Sequence, residues 1–295
     1  MDCLEGMKQL DDKIAQITFW DAPYNINKAN WDKIDNYIEW CGVRIKECER
    51  ITKYNGSFYL CHNDFDQLAE LHRWITRNTY FKLQIPLIWN KRFHLSSATK
   101  KKSPKHGFLT GFIVREGKRN YEMMYEFVLY YAFDNGRRIR EERKKRGLSQ
   151  KVLAEKVLSE SGGVTGWMSN IELERSCPNE EHIKIINEIL GLEDVVTRFH
   201  NLGTYHAVWD IDMVGRSDPN DHETPKPNEL IKTILRHSTD QGDLVLIPFS
   251  GGASSEVVCA QMKRDFISFE IDEGYCKAGN KKINGRQKIV DEFFS

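Results

Sequence analysis

The sequence predicts an α/β fold on a doubly wound, largely parallel sheet, interrupted by an all-α insertion. Three observations predict it. Short apolar runs alternate with amphipathic stretches in both halves of the chain, the pattern of strand and helix layers. The 295 residues, 40% of them hydrophobic, can bury a sizeable core. Between residues 135 and 200 the strand pattern gives way to helical spacing alone. Net charge is zero, from 43 basic and 43 acidic residues, so the protein is no global polycation. The longest apolar runs, 83–89 and 244–249, fall well short of the roughly 18 residues that cross a bilayer, and neither a membrane anchor nor a secretory signal is visible. Seven cysteines, scattered and without a CxxC pair, read as free thiols of a reducing cytoplasm. His62, His206 and Cys61 read as structural, because no metal-ligand spacing connects them.

In chain order, a short helix precedes a first strand at 14–20, and DAPYN follows at 21–25, where that strand runs out. A carboxylate, a rigid proline and a tyrosine there form a small polar mouth with an aromatic wall, although Asp-x-Pro is also ordinary turn chemistry. Ile34, Tyr37, Ile38, Cys41 and Ile45 recur at helical spacing and predict a helix over 33–49. Asn55-Gly56 signals a turn before a strand at 57–62. A helix over 64–76 and a strand over 81–89 come next, and 121–133, rich in aromatic and β-branched residues, reads as another strand. Between these strands, 91–120 holds nine Lys or Arg against Glu116, and 137–146 adds seven against Glu141 and Glu142. One such run is ordinarily a solvated loop; two in succession point equally to a polyanion partner.

The segment GRRIREERKKRGLSQKVLAEKV predicts a helix closed by Gly147 and a second one capped by Ser149. VTGWMSNIELE is a third helix, and Asn179 caps a fourth, with Glu180 and Glu181 in its first turn and Ile183, Ile186 and Leu190 on its inner face. The runs GLSQKVLAEKV and IELERSCPNEEH resemble the repressor-type helix-turn-helix, a module that reads DNA, dimerises or serves structure alone. After residue 202 the α/β pattern returns with a helix at 226–238, a strand at 244–248, a helix at 253–262 and a strand at 266–271. The insertion therefore splits one α/β domain into 1–134 and 201–295 around 135–200.

In LVLIPFSGGASSEVVCAQ, Ser250, Gly251 and Gly252 form a tight turn that enters a helix, where glycine lets a ligand approach the backbone. Nineteen residues beyond Gly251, Glu270 ends the next strand, a place where a carboxylate can take both ribose hydroxyls. The pair suits a nucleoside-bearing cofactor or a purely structural turn. It is no phosphate loop, since no Gly-Lys-Ser/Thr follows.

DAPYN, then HETPKPNELIKTIL, then PFSGGAS, then FISFEIDEGY resembles the circularly permuted β class of DNA amino-methyltransferases, in which the catalytic motif precedes the cofactor motif and target recognition lies between. The resemblance implies a Rossmann-like methyltransferase sheet with S-adenosylmethionine as cofactor. Phe249, Ser250 and Gly251 would lie at its methionine end and Glu270 on its ribose, with Asp2 and Lys226 flanking the same pocket. It further implies a target base flipped out of double-stranded DNA. Asp21 and the carbonyl of Ala22 would accept hydrogen bonds from the base's amino group, beside Pro23, while Tyr24 stacks on the ring. Asp as first residue of the motif favours adenine N6 over cytosine N4. Arg137, Arg138 and Lys144, with Lys100, Lys101, Lys102 and Lys105 of the basic loop, would hold phosphates, and Thr165, Ser169 and Asn170 would reach base edges.

Three features depart from the family pattern. Ala22 replaces the first proline of DPPY, and Ile247 stands where an aspartate usually precedes PF, with Gly252-Ala253 altering the turn. The family also has a strand ahead of the residues matched by Asp2. The sheet would then lack an edge or borrow one from a partner subunit or second copy. These departures keep an alternative open, a weakened or inactive methyltransferase-like DNA-binding subunit.

Overall fold

The computed structural model describes residues 1–26, 32–92, 125–158, 165–176, 178–193, 206–213 and 225–294. Helix α1 (Cys3–Met7) leads into β1 (Ala15–Trp20), α2 (Tyr37–Ile51), β2 (Thr52–His62), α3 (Phe65–Asn78), β3 (Phe81–Arg92) and β4 (Tyr125–Phe133). Helices α4 (Asn135–Lys145), α5 (Gln150–Leu158), α6 (Thr165–Glu172) and α7 (Glu180–Leu190) follow. The chain then returns through β5 (Val208–Asp212), α8 (Asn228–Ser238), β6 (Leu244–Ile247), α9 (Ser254–Gln261), β7 (Asp265–Ser268) and α10 (Glu273–Phe294).

The strands form one sheet in the order β5-β3-β4-β2-β1-β6-β7. Neighbours run parallel except around β4, which is antiparallel to both β2 and β3. Strand β1 is buried along its whole length because helices cover both faces of the sheet. Trp20 packs with Cys41, Ile45 and Leu71 of α2 and α3, while Ile17 and Phe19 pack with Leu230, Ile234 and Val258 of α8 and α9. Each such side chain contributes about 1.5–3 kcal/mol of burial. Helices α4 to α7 enclose a core of their own around Ile139, Leu153, Met168, Ile171 and Ile186. Their caps follow the sequence: Asn179 accepts from the His182 amide and Ser149 from that of Val152, and Gly147 takes φ 65°.

Several local expectations are corrected. Asn55-Gly56 makes no turn; it lies inside β2, where the register against β1 shifts. A Cβ on Gly56 would sit 2.7 Å from the Gln16 carbonyl, so glycine serves close strand approach there. Strand β5 and helix α10 went unread. Glu270 lies two residues beyond β7 rather than at the end of a longer strand. Among the described residues no strand pairs with the outer side of β7; Gly6 of α1 packs instead on Phe269, just past it. No described helix is long and apolar enough to cross a membrane.

Candidate active site

Strands β1 and β6 are parallel neighbours, with Ile17 opposite Val245 and Thr18 opposite Leu246. From β1 the chain moves to β2 on one side, and from β6 to β7 on the other. This is the switch point of the sheet, outside whose carboxyl ends α/β proteins bind ligands. Both motifs emerge there, DAPYN from β1 and PFSGG from β6. They touch through Trp20, whose ring meets Phe249 edge-on at 4.9 Å, and Trp40 of α2 closes the same aromatic wall 5.8 Å from Phe249.

Asp21 is held by a compact charged cluster. Its Oδ1 accepts from Lys226 Nζ at 2.8 Å and from the Tyr24 hydroxyl at 3.0 Å. The Tyr24 hydroxyl also lies 3.3 Å from Glu126 Oε2, and Lys226 Nζ lies 3.5 Å from that oxygen. Lys91 Nζ donates to Glu126 Oε1 at 2.6 Å. Two carboxylates and two ammoniums thus neutralise one another in a largely dry setting. Burial alone would lower the Lys226 ammonium, but Asp21 and Glu126 override it and hold the lysine charged. Burial would raise the Glu126 carboxyl, yet Lys226 and Lys91 hold it below the usual range. Burial, with Asp21 and Glu126, pushes the Tyr24 phenol well above its ordinary value, so its proton stays in place.

Lys226, expected to flank the cofactor pocket, is placed by the structure directly on Asp21 and beside Glu126. Glu126 and Lys91 were missed. Glu126 shares the strand face of the buried Val128 and Tyr130, so a carboxylate in phase with core residues was the available signal. The loop after Tyr24 is fastened by the buried Asp32, which accepts from the amides of Asn25 and Ile26. The Pro23 carbonyl accepts from the Tyr37 hydroxyl at 2.8 Å, and the Tyr24 carbonyl from Gln67 Nε2. Ala22 is buried, so its side chain packs and only its backbone is available for chemistry.

On the β6 side, Gly251 takes φ 54°, and its amide donates to Glu270 Oε2 at 2.7 Å. The Asp272 amide donates to the other Glu270 oxygen, which fixes the carboxylate while each oxygen keeps a lone pair for a ligand. The Ser250 amide donates to the Phe269 carbonyl, so turn and acid strand move as one. Asp2 caps α1 through the Leu4 amide and pairs with Arg44, whose guanidinium lies 3.9 Å over Trp40; as in Glu270, each carboxylate oxygen has one protein donor. Ile247 is fully buried among Ile17, Val245 and Val258 and contributes packing.

Glu256, in the first turn of α9, is fully buried and neither carboxyl oxygen makes a hydrogen bond. Burial raises its carboxyl above the usual range, opposed by the Ser250 and Ser268 hydroxyls, which lie near it but outside hydrogen-bond geometry. A raised acid binds its proton more tightly in the folded state, so its contribution is present below the ordinary glutamate range and is lost as pH rises above that range through the raised value. Glu256→Gln is accordingly expected to stabilise the fold at neutral pH by about 1 kcal/mol, fading toward pH ~4. Urea melts across pH check this; parallel curves for the two proteins contradict it.

Among the residues expected on DNA, Lys100, Lys101, Lys102 and Lys105 lie outside the described residues. Arg138 is corrected: it is buried, with its guanidinium 3.4 Å over Tyr54 and bonded to Asn135 Oδ1 and the Glu193 carbonyl, which turns the group inward, away from a phosphate. Arg137 pairs with Glu141 and lies over Tyr80, partly exposed. Lys144 and Asn170 are exposed and Ser169 is half-buried; Thr165 opens α6.

Known proteins resemble the chain in sequence and in fold. The type II methyltransferase M1.MboII of Moraxella bovis is 25% identical over 290 residues, covering 96% of this chain and 95% of the relative. The DNA adenine methyltransferase YhdJ of Escherichia coli (strain K12) is 27% identical over 298 residues, covering 96% and 81%. A DNA modification methylase of Thermus thermophilus, solved with S-adenosyl-L-methionine, shares the fold with a TM-score of 0.56 at 15% identity, covering 96% and 91%. The cytosine-N4-specific PvuII DNA methyltransferase shares it at 0.55 and 14%, covering 97% and 91%. A protein-family model described as a DNA methylase (N6_N4_Mtase) matches residues 15–281, nine-tenths of the sequence, and the chain belongs to that family.

Proposed function

We propose that the protein is a DNA adenine-N6 methyltransferase that uses S-adenosylmethionine and reads its target through the helical insertion. The observation that carries the reading is Asp21 at the carboxyl end of β1, fixed by Lys226 and Tyr24 and joined through Trp20 to the Phe249 turn. The residues present fit the cofactor. Glu270 offers carboxylate oxygens for a ribose diol, Gly251 at φ 54° allows close approach to the backbone, and Phe249 with Trp40 walls the adjoining end. When bound, the cofactor supplies an electrophilic methyl group on a sulfonium. The chain positions the acceptor. Asp21 Oδ1 is occupied by Lys226 and Tyr24, which leaves Oδ2 to accept from the amino group, with the Ala22 carbonyl as second acceptor. These two bonds draw the nitrogen toward tetrahedral geometry and aim its lone pair, so positioning and electrostatics supply the rate. No thiolate nucleophile takes part: Cys61 is buried, and burial pushes its thiol well above the ordinary value.

Adenine is favoured by the aspartate that opens the motif and by the likeness to an enzyme named as a DNA adenine methyltransferase. Sequencing of methylated bases in DNA from cells expressing the protein reports activity, base and site together; N6-methyladenine in one sequence context is the expected result. The complete Asp21 cluster favours an enzyme over a silent partner subunit, and calorimetry with S-adenosylmethionine should give clear one-site binding. For the insertion, Lys144→Ala should weaken binding alike on all duplexes and lower the salt slope by about 1, whereas Asn170→Ala should cost about 1–3 kcal/mol on the target sequence only. Fluorescence anisotropy over a salt series separates them; equal losses for the two variants on all sequences count against base reading by α6.

A further inference from the structure

We propose that His62 and Tyr37 are positioning residues for the transfer step, holding Pro23 and Tyr24 through a directed hydrogen-bond chain and a stacked ring. The inference rests on the proposed transferase reading and assigns it two residues outside the DAPYN motif. His62 ends β2, the strand beside β1, and Trp20 is level with Leu60 in that pairing, so His62 arrives alongside the first residues of the motif. It is 1% exposed.

The chain has a direction. The Asp64 amide donates to His62 Nδ1 at 3.0 Å, which places the ring proton on Nε2. Nε2 lies 3.1 Å from the Tyr37 hydroxyl and donates to it, and that hydroxyl donates to the Pro23 carbonyl at 2.8 Å. The opposite tautomer would turn Nδ1–H toward the Asp64 carbonyl, 3.1 Å away, and face the Asp64 amide with a second N–H. Tyr37 would then donate to Nε2 and leave the Pro23 carbonyl without its hydroxyl donor. The first arrangement makes three bonds; the second makes two and leaves the Asp64 amide and the Pro23 carbonyl without these partners.

The ring itself makes the second contact. His62 stacks on Tyr24 at 4.7 Å and 29°. It thereby backs one face of the ring whose hydroxyl sets Asp21 Oδ1, a ring that also has the Lys226 ammonium 5.2 Å from its centroid. One imidazole thus fixes the peptide before Tyr24 and the plane of Tyr24 together. Misplacement of reacting groups by about 1 Å can cost about 100-fold in rate. Four residues face the imidazole: Tyr37 from α2, Tyr24 and Asp21 from the loop after β1, and Glu126 from β4, while Asp64 follows on its own segment. Burial outweighs these acids and lowers the imidazole to about 4, so the ring is neutral at working pH. A lowered histidine contributes stability that is present above about pH 6.5 and lost as pH falls toward 4.

The test uses the full chain and the variants His62→Leu, His62→Gln, Tyr37→Phe and the Leu/Phe double. Turnover on duplex DNA, calorimetric affinity for S-adenosylmethionine and imidazole 15N shifts are measured. His62→Leu and Tyr37→Phe should each lower kcat about 10- to 100-fold. Cofactor affinity should stay within about threefold, because Glu270 and Phe249 lie on the other side of β1. The double variant should be no slower than the worse single, and His62→Gln, whose amide can still donate to Tyr37, should recover about tenfold of the loss. Undiminished kcat in His62→Leu, no rescue by Gln, or cofactor affinity falling in step with kcat overturns the proposal. A wild type that transfers no methyl overturns the transferase reading instead, and the 15N spectrum then decides the chain alone: a proton on Nδ1 rejects it.

Discussion

Asp21→Ala is expected to lower methyl transfer about 1,000-fold, roughly 4 kcal/mol of transition-state stabilisation, while cofactor affinity changes little. The amino nitrogen of an aromatic base is a poor nucleophile because its lone pair is delocalised into the ring. Hydrogen bonds to Asp21 and the Ala22 carbonyl strengthen as that nitrogen becomes tetrahedral and positive, so they count more in the transition state than in the bound substrate. Removing the carboxylate takes away the stronger acceptor and frees Lys226 from its 2.8 Å partner, leaving an ammonium pointed at the reacting nitrogen. Both changes act on kcat. Asp21→Asn keeps an acceptor without the charge and should fall between the two. Single-turnover rates beside calorimetric affinities check the pattern; a variant that loses cofactor binding in proportion to rate would point to a damaged fold.

Lys226→Met is the second large effect. Without the ammonium, Asp21 and Glu126 share the Tyr24 hydroxyl with Lys91 as the remaining cation of the cluster, and like charges that close oppose joint ionisation. One carboxyl then takes up a proton at higher pH than before. The acid limb of the rate profile should move upward, and kcat at neutral pH should fall about 10- to 100-fold, partly recovering as pH rises. Affinity for S-adenosylmethionine should stay within about threefold. That last point separates the observed placement from the one implied by the motif, where Lys226 flanks the cofactor: in that case affinity falls and the pH profile keeps its shape. Removing a buried partner also destabilises, by about 3 kcal/mol where no other charge compensates. Thermal melts should therefore accompany the kinetics.

The two halves of the site were legible at different depths. DAPYN at a strand end, and Glu270 nineteen residues after Gly251, were visible because each needs only local pattern, and the Gly251 amide indeed meets the Glu270 carboxylate. The helices of the insertion were visible because caps and apolar spacing are local too. Partners across long separations were not. Lys226 meets Asp21 from 205 residues away and Glu126 meets Tyr24 from 102, and no spacing rule connects them. Counting charges along the chain also misassigned direction. Lys91 stood in a basic run but sits at a strand end and turns onto Glu126. In the pair Arg137 and Arg138, the 100° step of a helix sends the second guanidinium inward onto Tyr54 and leaves the first half-exposed. Asn55-Gly56 misled because the same dipeptide serves a turn or a close backbone approach, and only the facing Gln16 carbonyl tells which.

The activity proposed for this cluster is methylation of the amino group of adenine in DNA. Incubating the purified protein with duplex DNA and methyl-labelled S-adenosylmethionine, then digesting the product to nucleosides, tests it directly. Label should appear in N6-methyladenosine of the deoxy series and disappear with Asp21→Ala. Label in N4-methylcytosine, or label that persists in the Asp21→Ala protein, would contradict it.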